Sequence, residues 1–63
     1  MILLTVNDVA KRLGIGAHRV REECYLWRDK YGVEIVRLGG NPRGHIRFHA
    51  DQIDDMIKKW GQN

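Results

Sequence analysis

The chain has 63 residues and a formal net charge of +3, with 43% hydrophobic and 30% charged residues. A chain this short can hold one domain with a modest core, which excludes a large enclosed active site. The composition is that of a folded domain and not of a disordered tail, and the basic balance favours an acidic partner such as nucleic acid.

The first predicted element is a short amphipathic helix. Its apolar residues recur at i, i+3, i+4 and i+7, and all fall on one helix face: Val6, Val9, Ala10 and Leu13. Thr5 is a favourable N-cap, and Asp8 three residues later completes an aspartate version of the capping box. Gly14 can take the left-handed conformation that ends a helix. The pattern predicts a helix from Thr5 to Leu13.

A longer helix is predicted from Ala17 to Lys30, across the short turn Gly14-Ile15-Gly16. Its apolar stripe is narrow and comprises Val20, Cys24, Trp27 and Tyr31. Gly16 stands where a Ser, Thr, Asp or Asn cap would be stronger, so the start of this helix depends on tertiary packing. Gly32 is the expected stop. Two helices joined by so short a glycine turn are typical of a helix-turn-helix.

Two extended segments follow, from Val33 to Leu38 and from His45 to Phe48, and the loop between them is rich in Gly, Asn and Pro. This arrangement predicts a two-stranded β-hairpin. A third helix comes next, because four apolar residues lie in helical register: Ile53, Met56, Ile57 and Trp60. We therefore predict one α+β domain over residues 1–63, a small winged helix-turn-helix with three helices and a two-stranded β-hairpin wing between helices 2 and 3.

The positive charge is concentrated away from the third helix. Residues 1–49 carry nine Lys and Arg against five Asp and Glu, whereas residues 50–63 carry two Lys against three Asp. A cationic surface is therefore expected on the first two helices and the hairpin.

The outward side of the second helix carries the first set of candidate binding residues. The helical period that buries the apolar stripe turns a polar set outward. Arg can bind the O6/N7 edge of guanine, Glu can accept from cytosine N4, and His and Tyr can reach bases or phosphates in the major groove of DNA. These candidates are His18, Arg19, Arg21, Glu22, Tyr25 and Arg28. The alternative is a solvated charged face with i,i+4 ion pairs such as Arg19 with Glu23.

The hairpin carries the second set of candidates. A narrow minor groove attracts an inserted arginine because its negative potential is deepened. The wing candidates are Arg43 at the tip, Asn41 in the same loop, and Arg37 and Arg47 in the flanking strands. The alternative is an ordinary Gly/Asn/Pro turn with one solvated cation.

Three segments occur in a recognisable order: Leu4-Thr5-Val6-Asn7-Asp8-Val9-Ala10 through Leu13-Gly14-Ile15-Gly16, then Val36-Arg37-Leu38-Gly39-Gly40, then Ile46-Arg47-Phe48 before the closing helix. Together they resemble the excisionase family, small winged-helix proteins related to the MerR type of DNA-binding domain. The resemblance runs from about Leu3 to Trp60. Three features depart from the family pattern: Gly16 in place of a Ser-type cap, a longer second helix, and Pro42 in the wing.

The resemblance implies a recombination directionality factor. Such a protein binds beside the attachment site of a phage or integrative element, bends the DNA, and helps the integrase to excise the element. By position, His18, Arg21, Glu22 and Tyr25 match the family's major-groove contacts, and Arg43 matches its minor-groove wing residue. The implied partners are double-stranded DNA, a site-specific integrase and further copies of the chain side by side on DNA. The implied location is the nucleoid in the cytoplasm of a bacterial host.

Two other functions stay open on the sequence. A small phage-type transcriptional regulator that represses a promoter would use the same fold and the same groove-reading surface. A protein-interaction adaptor would instead use the basic face to bind an acidic partner.

Neither an enzyme nor a cofactor or metal site is expected. The chain offers no matched set of acid, base, nucleophile and pocket. Its one cysteine, Cys24, excludes an intramolecular disulfide and falls on the apolar stripe, and His18, His45 and His49 fit no zinc-binding spacing with it. The apolar run Met1 to Leu4 is too short for a signal peptide or a membrane span, so a soluble cytoplasmic protein is predicted.

Overall fold

The computed structural model describes residues 2–40 and 45–61, which form three α-helices and a three-stranded antiparallel sheet. The elements in chain order are β1 (Leu3–Thr5), α1 (Val6–Leu13), α2 (Ala17–Tyr31), β2 (Ile35–Arg37), β3 (Ile46–His49) and α3 (Ala50–Gly61). The predicted α+β class with three helices is confirmed. Within the described ranges, no helix is both long and apolar enough to cross a membrane.

The start of α1 has the predicted capping box. The Thr5 hydroxyl accepts the Asp8 backbone N–H at 3.0 Å, and the Asp8 carboxylate accepts the Thr5 backbone N–H at 3.0 Å. The hydrogen bond from the Thr5 backbone holds the pKa of the exposed Asp8 carboxyl below its ordinary value, and the bond with the Thr5 side chain lowers it further. At the other end, Gly14 adopts φ 71°, the left-handed cap that leads into the turn before α2.

The capping box makes the contribution of Asp8 to stability dependent on pH. Because the pKa of Asp8 is lower in the folded chain than its ordinary 3.8, its contribution is fully present above that ordinary value and is lost as the pH falls through the folded-state pKa. Asp8→Asn should therefore be less stable than the wild type at pH 7, and the difference should close as the pH is lowered below about 4. Urea unfolding at several pH values measures it.

Asp8→Glu is the matched variant for this test, because Glu at the same position also forms a capping box. It should keep most of the pH-dependent stabilisation that Asp8→Asn loses. A stability difference between wild type and Asp8→Asn that stays constant from pH 7 to pH 2 would contradict the assignment.

The end of α2 determines where the next strand begins. Gly32 takes φ 72° and donates to the Arg28 carbonyl at 3.2 Å, while the Val33 N–H donates to the Trp27 carbonyl at 3.4 Å. Val33 is itself buried and closes this helix end over the core. The Glu34 N–H donates to Gln52 Oε1 of α3 at 2.7 Å. Because Val33 and Glu34 make these contacts outside the sheet, β2 begins only at Ile35 and is shorter than the predicted extended segment.

The sheet has three strands and not the predicted two. β3 lies in the centre, with β1 and β2 antiparallel on either side, and Phe48 is the register partner of both Leu4 and Ile35. The sequence of β1 is only three residues long and has no alternating pattern of its own, so its strand conformation depends on pairing with β3. Thr5 ends this strand and caps α1, which fixes α1 directly against the sheet.

One core joins all the elements. Phe48, Ile53, Val9 and Val20 have no exposed surface, and Trp27 is 4% exposed. The remaining buried apolar residues are Leu4, Val6, Ala10, Cys24, Val33, Ala50 and Met56. Ile15 packs against this core from the turn between α1 and α2.

Candidate nucleic-acid interface

The two sides of α2 divide as the helical period predicted. Val20, Cys24 and Trp27 are buried, and Tyr31 is half-buried against Trp60 of α3. The six predicted major-groove candidates are all exposed: His18, Arg19, Arg21, Glu22, Tyr25 and Arg28. The polar side of the helix is therefore open to solvent.

On part of this exposed side, residues of α2 lie beside a residue of the sheet. Arg21, Tyr25 and Arg28 stand at i, i+4 and i+7 on one side of α2. The Arg28 guanidinium carbon lies 5.6 Å from the centre of the Tyr25 ring, and Arg37 Nη2 of β2 donates to the Tyr25 hydroxyl at 2.9 Å. These four residues, three of them arginines, lie on one side of α2 and on the adjoining strand, and we call them the arginine face.

The two strand arginines lie on opposite faces of the sheet. Val36 is the register partner of Arg47, so these two side chains share one face of the sheet. Arg37 is next to Val36 and therefore lies on the opposite face, toward α2. Arg47 Nη1 donates to the Ile46 carbonyl at 2.9 Å instead. Of the two predicted wing residues in the strands, Arg37 thus belongs to the arginine face and Arg47 does not.

The hairpin closes at its base, where Leu38 in the short turn Leu38–Gly40 donates its N–H to the His45 carbonyl at 3.0 Å. The predicted tip residue Arg43 and its neighbour Asn41 lie outside the described residues. The described part of the interface is therefore α2 with Arg37.

Other parts of α2 carry i,i+4 contacts. His18 Nε2 lies 2.9 Å from Glu22 Oε1, and Arg19 forms the expected i,i+4 ion pair with Glu23. The Arg19 pair lies on the flank away from the arginine face, since Arg19 is about 200° around the helix from Arg21. The predicted alternative, a solvated face with i,i+4 pairs, thus describes that flank. The arginines of the arginine face lie on the opposite flank, outside these i,i+4 contacts.

One carboxylate does accompany the arginine face. Asp29 Oδ1 lies 3.3 Å from Arg28 Nε, and both side chains are more than half exposed. An exposed pair of this kind contributes little to stability and leaves the guanidinium able to exchange partners. By contrast, the Arg21 guanidinium makes no hydrogen bond or ion pair with any residue that the structure describes.

Comparison with protein-family models, with curated proteins and with solved structures finds no significant match for this chain.

Cys24 plays a structural part. Its side chain is fully buried, its Sγ donates to the Arg21 carbonyl at 3.2 Å, and burial raises the pKa of the thiol. A thiol whose deprotonation is disfavoured is a poor nucleophile and a poor metal ligand. Within residues 2–40 and 45–61, no group of three or more His, Cys, Asp or Glu side chains could hold a metal ion.

The dimensions of α2 fit a DNA groove. Its 15 residues extend about 22 Å, and a helix with its side chains is about 10–12 Å across, which matches a major groove about 12 Å wide. Guanidinium groups bind both phosphate oxygens and the guanine edge in a bidentate manner. An exposed helix of this length with arginines along one flank can contact both.

Proposed function

We propose that this chain is a duplex-DNA-binding domain of the winged-helix type, in which α2 lies in the major groove. The observation that carries the proposal is the contact between Tyr25 and Arg37, because it joins the exposed flank of α2 to the sheet as one cationic surface. Such a surface supplies the salt-dependent attraction to phosphates on which protein–DNA affinity depends. The hairpin that continues from Arg37 approaches the neighbouring minor groove, where Arg43 acts.

We propose further that the biological role is excision. The resemblance of the sequence to the excisionase family supports a protein that binds and bends DNA beside an attachment site and recruits a site-specific integrase. One domain of this size reads only a short stretch of DNA, so several copies side by side, or an integrase neighbour, supply the remaining specificity. Repression of a promoter is the alternative role for the same surface.

The DNA-binding proposal is tested by titrating a fluorescent duplex of arbitrary sequence with the protein. We expect binding at 50 mM salt that weakens steeply by 200 mM, because the phosphate contacts release counterions. The triple variant Arg21→Ala, Arg28→Ala, Arg37→Ala should lose most of this binding while keeping its helical circular dichroism. If the protein binds no duplex at 50 mM salt, the DNA-binding proposal is wrong, and an adaptor for an acidic protein is favoured.

The excision role is tested separately, in an in vitro recombination assay with the cognate integrase. The protein should increase formation of the excised circle and should bend its site, measured as a change in energy transfer between dyes at the duplex ends. If it binds the site but leaves excision unchanged and represses a promoter beside the site, the regulator is the correct role.

A further inference from the structure

Tyr25 contacts arginines from two different elements. Its ring lies under the Arg28 guanidinium of α2, at 5.6 Å, and its hydroxyl accepts from Arg37 Nη2 of β2, at 2.9 Å. The side chain is 38% exposed, so it stands on the surface and not in the core. One tyrosine thus contacts two guanidinium groups from α2 and β2.

Tyr25 restrains both guanidinium groups through different parts of its side chain. The ring face attracts Arg28 through its quadrupole, and the hydroxyl oxygen is an acceptor for Arg37. An anion beside Tyr25 can accept hydrogen bonds from both guanidinium groups, because Arg28 can exchange its exposed pairing with Asp29 for the anion. Phosphate oxygens match the planar donor fork of arginine, which loses little freedom when it is already held in place.

We propose that Arg28 and Arg37 form a clamp for one phosphodiester group of the DNA backbone, and that Tyr25 is the positioning residue that sets its geometry. This inference rests on the proposed DNA-binding function and assigns separate roles to the arginines of the arginine face. Arg28 and Arg37 fix the position of α2 on the backbone. Arg21, one turn earlier and without a hydrogen bond to Tyr25, reads the base edge.

The clamp assigns Arg37 a different role from the one its sequence position suggests. Next to the Gly-rich loop it resembles a wing residue for the minor groove. Its bond to the Tyr25 hydroxyl instead directs it to the backbone phosphate that borders the major groove on the side of β2.

The decisive variant is Tyr25→Phe, which removes the hydroxyl that holds Arg37 and keeps the ring under Arg28. Binding to a duplex of arbitrary sequence is measured from 50 to 200 mM salt for wild type, Tyr25→Phe, Arg37→Ala and the double variant. We expect Tyr25→Phe to weaken binding about fivefold, the effect of one net hydrogen bond. Arg37→Ala should weaken it further and reduce the slope of log affinity against log salt by about one unit.

The double variant separates positioning from a merely structural role. If the hydroxyl acts through Arg37, the double variant should bind no more weakly than Arg37→Ala alone. Tyr31→Phe is the matched control, because it removes a hydroxyl from the same helix on the side facing Trp60, and it should bind like wild type. Circular dichroism establishes that each variant is folded.

The outcomes are distinguishable. If wild type binds no duplex at 50 mM salt, the proposed function itself fails. If wild type binds but Tyr25→Phe binds equally well, or if the effects of Tyr25→Phe and Arg37→Ala add in the double variant, DNA binding stands and the clamp is wrong. A loss in Tyr25→Phe that Tyr31→Phe reproduces also overturns the clamp.

Discussion

Phe48→Ala should lower the free energy of unfolding of this domain by about 3 to 5 kcal/mol. Phe48 has no exposed surface and lies in the central strand β3, where it is the register partner of both Leu4 and Ile35. Truncating a buried phenylalanine to alanine costs about 3 to 5 kcal/mol, from lost burial and from the cavity left behind. A chain of this length has a free energy of unfolding of about 3 to 9 kcal/mol, so the expected loss of stability is a large part of the total. Urea unfolding followed by circular dichroism measures the difference.

Phe48→Leu is the control for this prediction. It keeps an apolar side chain between the two outer strands and should cost about 1 to 2 kcal/mol, leaving the domain folded. A Phe48→Ala protein that unfolds within about 1 kcal/mol of wild type would show that the core does not centre on β3. The circular dichroism of the Phe48→Ala protein, compared with that of Phe48→Leu, also shows whether the helices stay formed when the sheet is disrupted. This is informative because α1 and α3 both pack against the sheet.

The sequence predicts the helices well because the determining interactions are local. The residues that bury α1 recur every three or four positions, and its capping box lies within four consecutive residues. The same holds for α2, whose end at Gly32 needs only a left-handed residue after the last turn. In each case, neighbours along the chain contain most of the physical information.

The sheet and the arginine face are harder to predict because they depend on distant pairings. β1 is a strand only because β3, more than 40 residues later, pairs with it. The sides on which Arg37 and Arg47 point follow from the register of β2 with β3, which the sequence does not specify. A one-residue slip between β2 and β3 would place both arginines on the same face of the sheet, so the sequence alone does not separate them.

One signal in the sequence does point toward the arginine face. Arg37 is two residues from Ile35, and alternation along a strand places both on the same side. Since Ile35 is apolar and packs against the core, Arg37 is expected at the margin of the core. Its partner Tyr25 could not have been selected from the sequence alone, because several exposed polar residues of α2 were equally available.

Arg21→Ala should weaken binding to the specific DNA target by about 1 to 3 kcal/mol and relax the choice of base at one position. Arg21 lies on the exposed side of α2, one turn before Tyr25, and its guanidinium has no partner among the described residues. A guanidinium that must break no internal bond can bind the O6/N7 edge of guanine at full strength. Selection from a randomised duplex pool identifies the target, and fluorescence anisotropy on the target and on its single-base variants gives the affinities.

Lys30→Ala is the matched control, because it removes the same charge from the same helix. Lys30 is nine residues from Arg21, which places it about 180° around α2, and its amine lies 6.0 Å from the centre of the Tyr31 ring on the side of α3. It should affect target and non-target duplexes equally and only slightly, through long-range charge. If Lys30→Ala weakened target binding as much as Arg21→Ala, net charge would explain both losses, and α2 would not read the major groove through this flank.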